Sequence, residues 1–135
     1  APQNTYYTAQ QLPNSVDLNG SGSLIYPDFQ VRIQAGKNIN SHLPAEIYTN
    51  QGTLTLDGIE YIRSAIFQKL NGETESLAIR QADHQMLEEA QAFAQVLKGG
   101  QEELYSDYLQ AAATVHECMF AMRKDAGIRF EVDHD

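Results

Sequence analysis

Histidine is the residue type in this 135-residue chain best suited to metal binding or acid–base catalysis, and there are four. Two lie beside a carboxylate, His84 one helical turn before Glu88 and His116 directly before Glu117. At 100° per residue, His84 points away from the apolar stripe of its predicted helix, and neither pair has the Glu-x-x-His spacing of helical di-metal sites. We therefore expect no histidine-based metal site. An enzyme would instead use His116 in a pocket between helices and sheet.

Other catalytic patterns are missing from the sequence. No serine lies in a nucleophile elbow, and no phosphate-binding glycine loop follows a predicted strand. The single cysteine, Cys118, falls among apolar residues and is interpreted as a core residue. A lone cysteine excludes an internal disulfide and fits a reducing compartment, so we expect a cytoplasmic protein, with a secreted mature form as the alternative.

Oxygen-bearing side chains alternate between residues 17 and 28, where they could converge on a hard cation. Asp17, Asn19 and Ser21 occupy the first, third and fifth positions, a glycine follows at the sixth, and Asp28 is at the twelfth. This stretch resembles an EF-hand calcium loop, and the resemblance implies calcium as the only candidate cofactor. The twelfth position carries Asp where the EF-hand pattern has Glu.

A β-hairpin is the alternative structure for the same stretch, and we favour it. Residues 15–18 and 23–26 would form its strands, with the turn at 19–22, where Asn and Gly recur. The sequence leaves both the calcium loop and the hairpin open.

Two long amphipathic helices are predicted between residues 73 and 124, folded back on each other at Gly99 and Gly100. Apolar residues recur every three or four positions in both segments, and the two stripes match along their length when the helices pair antiparallel. A third helix is predicted over 54–70 from the same spacing.

Strands are predicted where apolar and polar residues alternate, at 29–34 and at 128–132. The fold class expected from these elements is α+β and mostly α: an antiparallel helical hairpin plus a third helix, packed on a small antiparallel sheet. Residues 1–135 are expected to form a single domain, with 1–16 as an extended N-terminal arm.

The formal net charge of −9 is concentrated in the second half of the chain, because residues 1–72 hold five acidic and four basic side chains. This concentration of negative charge disfavours binding to nucleic acid and to anionic membranes, and it favours basic partners. The predicted partner-binding surface is the polar face of the helical hairpin: Glu88, Glu89, Glu103, Asp107 and Glu117.

The function predicted from these features is that of a non-enzymatic, acidic protein-interaction module, of an inhibitor, immunity or assembly type. The unusually wide apolar arc of the last helix predicts a homodimer, since such a helix must be buried on several sides. The alternatives are a calcium-binding protein through residues 17–28, or a small enzyme with a pocket around His116.

Overall fold

A computed structural model of the chain describes residues 1–81, 84, 86–130, 132 and 133. Its described elements are, in chain order, β1 (Asn4–Gln11), β2 (Asp17–Ile25), β3 (Gln30–Gly36), β4 (Ala45–Tyr48), β5 (Gly52–Leu56), β6 (Ala65–Lys69), β7 (Thr74–Leu77), α1 (Leu87–Leu97) and α2 (Glu102–Asp125). They divide into two compact units. The first comprises Ala1–Asn40 and Gln101–Asp135, and the second Ser41–Gly100.

The first unit contains a three-stranded antiparallel sheet in the order β1-β2-β3. Tyr7 of β1 lies opposite Gly22 of β2, which in turn lies opposite Ile33 of β3. Because successive side chains of a strand point to opposite faces, these three residues share one face of the sheet. The β2–β3 turn is closed by Tyr26 and Phe29, whose rings stack with their centroids 4.2 Å apart.

Helix α2 packs its C-terminal end against this sheet. The side chain of Met122 fills the space beside Gly22, where a Cβ would lie 2.3 Å from the Met122 Cε. The chain after α2 turns at Gly127, where φ is +70°, a value that glycine adopts without strain. It then buries Ile128, which is 5% exposed.

An arginine–carboxylate pair holds the end of the chain on α2. The guanidinium of Arg123 donates to both carboxylate oxygens of Asp133, with the Nη2–Oδ1 distance at 2.8 Å, and to the carbonyl of Ile128 at 3.1 Å. Its Cζ lies 5.1 Å from the ring centroid of Phe120 and 4.3 Å from that of Phe130. Planar stacking and two-point hydrogen bonding suit arginine better than lysine.

The second unit contains a four-stranded antiparallel sheet in the order β4-β5-β6-β7, followed in the chain by α1. Ile47, Leu54 and Phe67 are paired across three strands and therefore share one face. Ala65 lies on the same face and is 1% exposed.

The predicted fold class is wrong, because the described residues form seven strands in two antiparallel sheets and only two helices. The helix predicted over 54–70 is instead β5, a turn and β6. In that turn Oδ1 of Asp57 accepts hydrogen bonds from the N–H groups of Arg63 at 2.9 Å and Ser64 at 3.0 Å. Short apolar runs fit a strand as well as a helix, and here pairing with neighbouring strands favours the strand.

The predicted helical hairpin is also wrong. Its first half begins as β7 and becomes helical only at Leu87, and α1 and α2 belong to different units. The last helix itself is confirmed as α2, and the strand predicted at 29–34 is confirmed as β3. Residues 128–130 form no strand; Glu131, the next residue of that predicted strand, lies outside the described part of the chain.

Among the described residues, neither helix is long and apolar enough to cross a lipid bilayer.

Candidate functional site

Three side chains able to exchange protons meet at one end of the β1-β2-β3 sheet, and we call them the ionic cluster: Tyr7, Asp17 and Lys37. The ammonium group of Lys37 donates to Oδ1 of Asp17 at 2.9 Å and to the Asp17 carbonyl at 2.6 Å. The hydroxyl of Tyr7 donates to the other carboxylate oxygen of Asp17 at 3.4 Å. A carboxylate thus holds a phenol on one side and an ammonium on the other.

The position of Tyr7 depends on glycine in the neighbouring strand. A Cβ at Gly20 would lie 2.3 Å from the Tyr7 hydroxyl, so the phenol occupies space that a side chain there would fill. From α2, Asp125 accepts the backbone N–H of Tyr7 at 2.7 Å. Strand β2 and the helix therefore hold Tyr7 from two directions.

The ionic cluster changes the acidity of two of its members. The hydrogen bond that Asp17 accepts from Lys37 lowers the pKa of Asp17, and partial burial opposes that effect. Burial is the main cause that raises the pKa of Tyr7, and the negative charge and hydrogen bond of Asp17 add to it. At neutral pH the cluster therefore contains an anionic carboxylate and a protonated phenol.

This arrangement can bind a hydroxyl or carbonyl group and can exchange a proton with it. The side chain of Lys37 is 59% exposed and that of Asp17 is 38% exposed, so a ligand in solution can reach both. Water screens an ion pair at this exposure, and its typical contribution to folding is about 0–1 kcal/mol.

Three neutral amides lie at the same end of the sheet, and we call them the amide cluster: Gln10, Asn19 and Asn38. The NH₂ group of Asn19 donates to Oε1 of Gln10 at 2.9 Å and to Oδ1 of Asn38 at 3.2 Å. Gly36 faces Asn19 across the strands, and a Cβ there would lie 2.6 Å from the Asn19 Cβ. The missing side chain makes room for the cluster.

The residues predicted to bind calcium do not form a loop. Asp17, Asn19 and Ser21 lie along the continuous strand β2, and Asp28 is in the exposed turn before β3. Alternate residues of a strand are separated by more than 6 Å along its axis, and Asp17 binds Lys37 while Asn19 binds two amides. The turn favoured at 19–22 is absent as well. The calcium site stays a prediction without support from this geometry.

The residues predicted to bind a partner are divided between the two units. Glu88 and Glu89 lie in the first turn of α1, whereas Glu103, Asp107 and Glu117 lie on α2. His116, the predicted pocket residue, is exposed on α2. No group of three or more His, Cys, Asp or Glu side chains within the described residues could hold a metal ion.

Two curated proteins are similar to nearly the whole chain. A scyllo-inositol 2-dehydrogenase (NADP⁺), IolU of Bacillus subtilis strain 168, is 27% identical over 133 residues, which cover 98% of this chain and 40% of that protein. An uncharacterised oxidoreductase, YgjR of Escherichia coli strain K12, is 26% identical over 134 residues, with the same coverage of 98% and 40%. The chain spans about 40% of the length of these relatives. No protein-family model matches it.

These relatives contradict the predicted function, since both are oxidoreductases and neither is described as an interaction module, an inhibitor or a calcium-binding protein. The comparisons give no support to the homodimer, which stays a prediction from the apolar arc of the last helix. Sequence reasoning selected Asp17 but missed Tyr7 and Lys37. No local motif marks these two residues, and only the pairing of the three strands brings them to Asp17.

Proposed function

We propose that this chain is the substrate-side part of an NADP(H)-dependent oxidoreductase. The observation that carries the proposal is the match of two oxidoreductases over 98% of the chain. The ionic cluster supports it, because the oxidation of an alcohol or the reduction of a carbonyl needs groups that bind the oxygen and exchange its proton. A cytoplasmic location belongs to the same proposal.

The described residues do not fit a dinucleotide. Dinucleotide-binding folds place a glycine-rich turn between a parallel strand and a helix, whereas every described strand pair of this chain is antiparallel. Gly20 and Gly22 lie inside β2, and the space beside Gly22 is occupied by Met122. In our proposal the cofactor is therefore held by a different polypeptide segment, which corresponds to some of the remaining length of the relatives.

The proposed task of the ionic cluster is to hold the reacting oxygen of the substrate. The ammonium of Lys37 and the hydroxyl of Tyr7 are hydrogen-bond donors, and each already contacts Asp17. A substrate hydroxyl that replaced one of these contacts would be oriented by the other two groups. Asp17 would keep Lys37 protonated and Tyr7 in place, as carboxylates do for neighbouring donors.

The substrate class in the proposal is a polyhydroxylated alcohol. The support is the similarity to IolU, a scyllo-inositol 2-dehydrogenase. The negative charge of the chain agrees with a neutral substrate, since a net charge of −9 repels anionic ones.

A chimera tests the proposal. Residues 1–135 would replace the matching 40% of IolU, and formation of NADPH would be followed with scyllo-inositol and a panel of other polyols. We expect turnover with at least one polyol. Tyr7→Phe and Lys37→Met should each lower kcat/KM about 100-fold or more, the usual effect of losing a general acid or base.

The control is Lys69→Met. Lys69 is an exposed residue of β6 in the other sheet, and its ammonium lies 3.1 Å from the Glu73 carboxylate. This variant should leave turnover unchanged. A folded chimera that binds NADPH but oxidises none of the polyols would contradict the proposal. So would a chimera whose activity survives both changes in the ionic cluster.

A further inference from the structure

The amide cluster presents an ordered set of hydrogen-bonding atoms that the proposed reaction does not use. Asn19 donates both amide hydrogens to its neighbours, at 2.9 and 3.2 Å, so its own carbonyl oxygen remains available as an acceptor. Gln10 and Asn38 use their carbonyl oxygens to accept these bonds, which leaves their NH₂ groups available as donors. The free atoms therefore alternate as donor, acceptor and donor from Gln10 in β1, through Asn19 in β2, to Asn38 in the loop after β3.

The next row of the same sheet face continues this neutral polar surface. Thr8 of β1, Ser21 of β2 and Gln34 of β3 are paired directly across the strands. All three are exposed, and so are Gln10 and Asn38. Two adjacent rows thus offer hydroxyl and amide groups without a charged side chain, on the face opposite the one that α2 covers.

We propose that this face binds a neutral cyclic polyol through the amide cluster. A vicinal diol presents hydroxyl groups that each donate and accept, and alternating amide donors and acceptors can match adjacent hydroxyls simultaneously. The fixed amide geometry lowers the entropic cost of binding, since two side-chain hydrogen bonds already order the three residues. The choice of polyol rests on the proposed function, whereas the position of the site rests on the amide geometry.

The test is an NMR titration of the uniformly ¹⁵N-labelled chain, because side-chain NH₂ groups of Gln and Asn are observed directly. The probes are scyllo-inositol and myo-inositol, with cyclohexanol as a ligand that has the ring but a single hydroxyl. We expect saturable shifts of the Gln10, Asn19 and Asn38 amide signals with the inositols and none with cyclohexanol. Asn19→Ala should weaken the binding about tenfold, the loss expected for removing one or two hydrogen bonds.

Two further variants keep the test decisive. Asn38→Ala changes a residue outside the strands, so it should weaken binding without disturbing the sheet. Gln68→Ala removes an exposed amide from β6 of the other sheet and should leave the affinity unchanged. Failure of both Asn variants to weaken binding would overturn the site, as would the absence of saturable shifts in the wild-type chain.

The outcomes also separate this inference from the proposed function. Polyol shifts confined to Tyr7, Asp17 and Lys37 would support the ionic cluster and overturn the amide site. Saturable shifts at the amide cluster, together with a folded but inert chimera, would support the amide site and contradict the oxidoreductase.

Discussion

The carboxylate of Asp125 accepts a hydrogen bond from the backbone N–H of Tyr7 at 2.7 Å, although 118 positions separate the two residues in the chain. Among the strands that the structure describes, β1 pairs with β2 alone, so it is an edge strand whose outward N–H groups face no other strand. A second bond lies beside the first, where the side chain of Gln11 donates to the carbonyl of Ala126 at 3.0 Å. The end of α2 thus pairs with the open edge of the sheet.

Asp125→Ala should lower the free energy of unfolding by about 1 kcal/mol, the usual net contribution of an accessible hydrogen bond. Asp125→Asn keeps an acceptor oxygen and should lose less. Urea unfolding of the three proteins would measure the differences. Equal stability of the Ala variant and the wild type would show that water replaces the carboxylate at this edge without cost.

Asp17→Asn should lower the pKa of Tyr7, but only part of the way to the ordinary value of 10.0. The variant removes the negative charge that disfavours the phenolate, while burial, the larger cause, remains. NMR titration of ¹³C-labelled tyrosine would follow Tyr7. Lys37→Met is the opposing variant: it should raise the pKa of Asp17 towards 3.8, because the main cause of its depression is lost.

The Arg123–Asp133 pair should make stability depend on pH in the acid range. The guanidinium holds the pKa of Asp133 well below its ordinary value of 3.8. A carboxyl whose folded-state pKa is depressed stabilises the fold fully above its unfolded-state pKa and loses this contribution as pH falls towards the folded-state value. Asp133→Asn should therefore melt at a lower temperature than the wild type at neutral pH.

The difference in melting temperature between Asp133→Asn and the wild type should shrink as the pH is lowered below about 3.8. Thermal melts followed by circular dichroism at several pH values would measure it. Asp107→Asn, a change at an exposed carboxylate of α2, serves as the control. A constant difference between the Asp133 variant and the wild type at every pH would contradict the assignment.

Gly52→Ala should destabilise the four-stranded sheet by about 1–3 kcal/mol, as overpacking does in well-packed sites. A Cβ at Gly52 would lie 2.2 Å from the backbone oxygen of Gln68 and 2.9 Å from Cζ of Phe67. The backbone oxygen belongs to the neighbouring strand and cannot move alone. Gly58→Ala is the matched control, since a Cβ at Gly58 would lie 3.3 Å from the backbone oxygen of Tyr61, a much milder contact. Urea unfolding should separate the two variants.

Calcium should not raise the melting temperature of the chain. Lys37 occupies the Asp17 carboxylate, and β2 keeps Asn19 and Ser21 in line instead of turning them towards one point. A ligand that binds the native state raises the midpoint of a thermal melt. A calcium-dependent rise that Asp17→Asn abolished would restore the calcium site.

The last helix and one strand were predicted correctly. The apolar spacing of residues 102–125 persists over 24 residues and is confirmed as α2, with the turn at Gly127 directly after it. The alternation in Val31, Arg32 and Ile33 is confirmed within β3. Spacing of three or four matches the helical period of 3.6, and alternation matches the strand period of two, so each pattern favours one element.

The helix predicted over residues 54–70 was wrong. Residues 54–70 carry apolar side chains at spacings that fit a helix, yet Leu54 pairs with Phe67, and Leu56 with Ala65, in an antiparallel ladder. Each strand here is five residues long. Over such lengths local propensity is weak compared with backbone hydrogen bonds to neighbouring strands, and these partners are not encoded within the segment itself.

The sequence by itself determined the last helix, the strand at 30–36 and the acidic charge of the chain. Only the tertiary structure decided the candidate site. Tyr7 and Lys37 lie 10 and 20 positions from Asp17, and no periodicity connects the three. They meet because antiparallel pairing brings the residue after β3 beside the start of β2, and because the side chain of Tyr7, in the middle of β1, reaches Asp17 over Gly20. This relationship depends on strand register and on contacts distant in the chain.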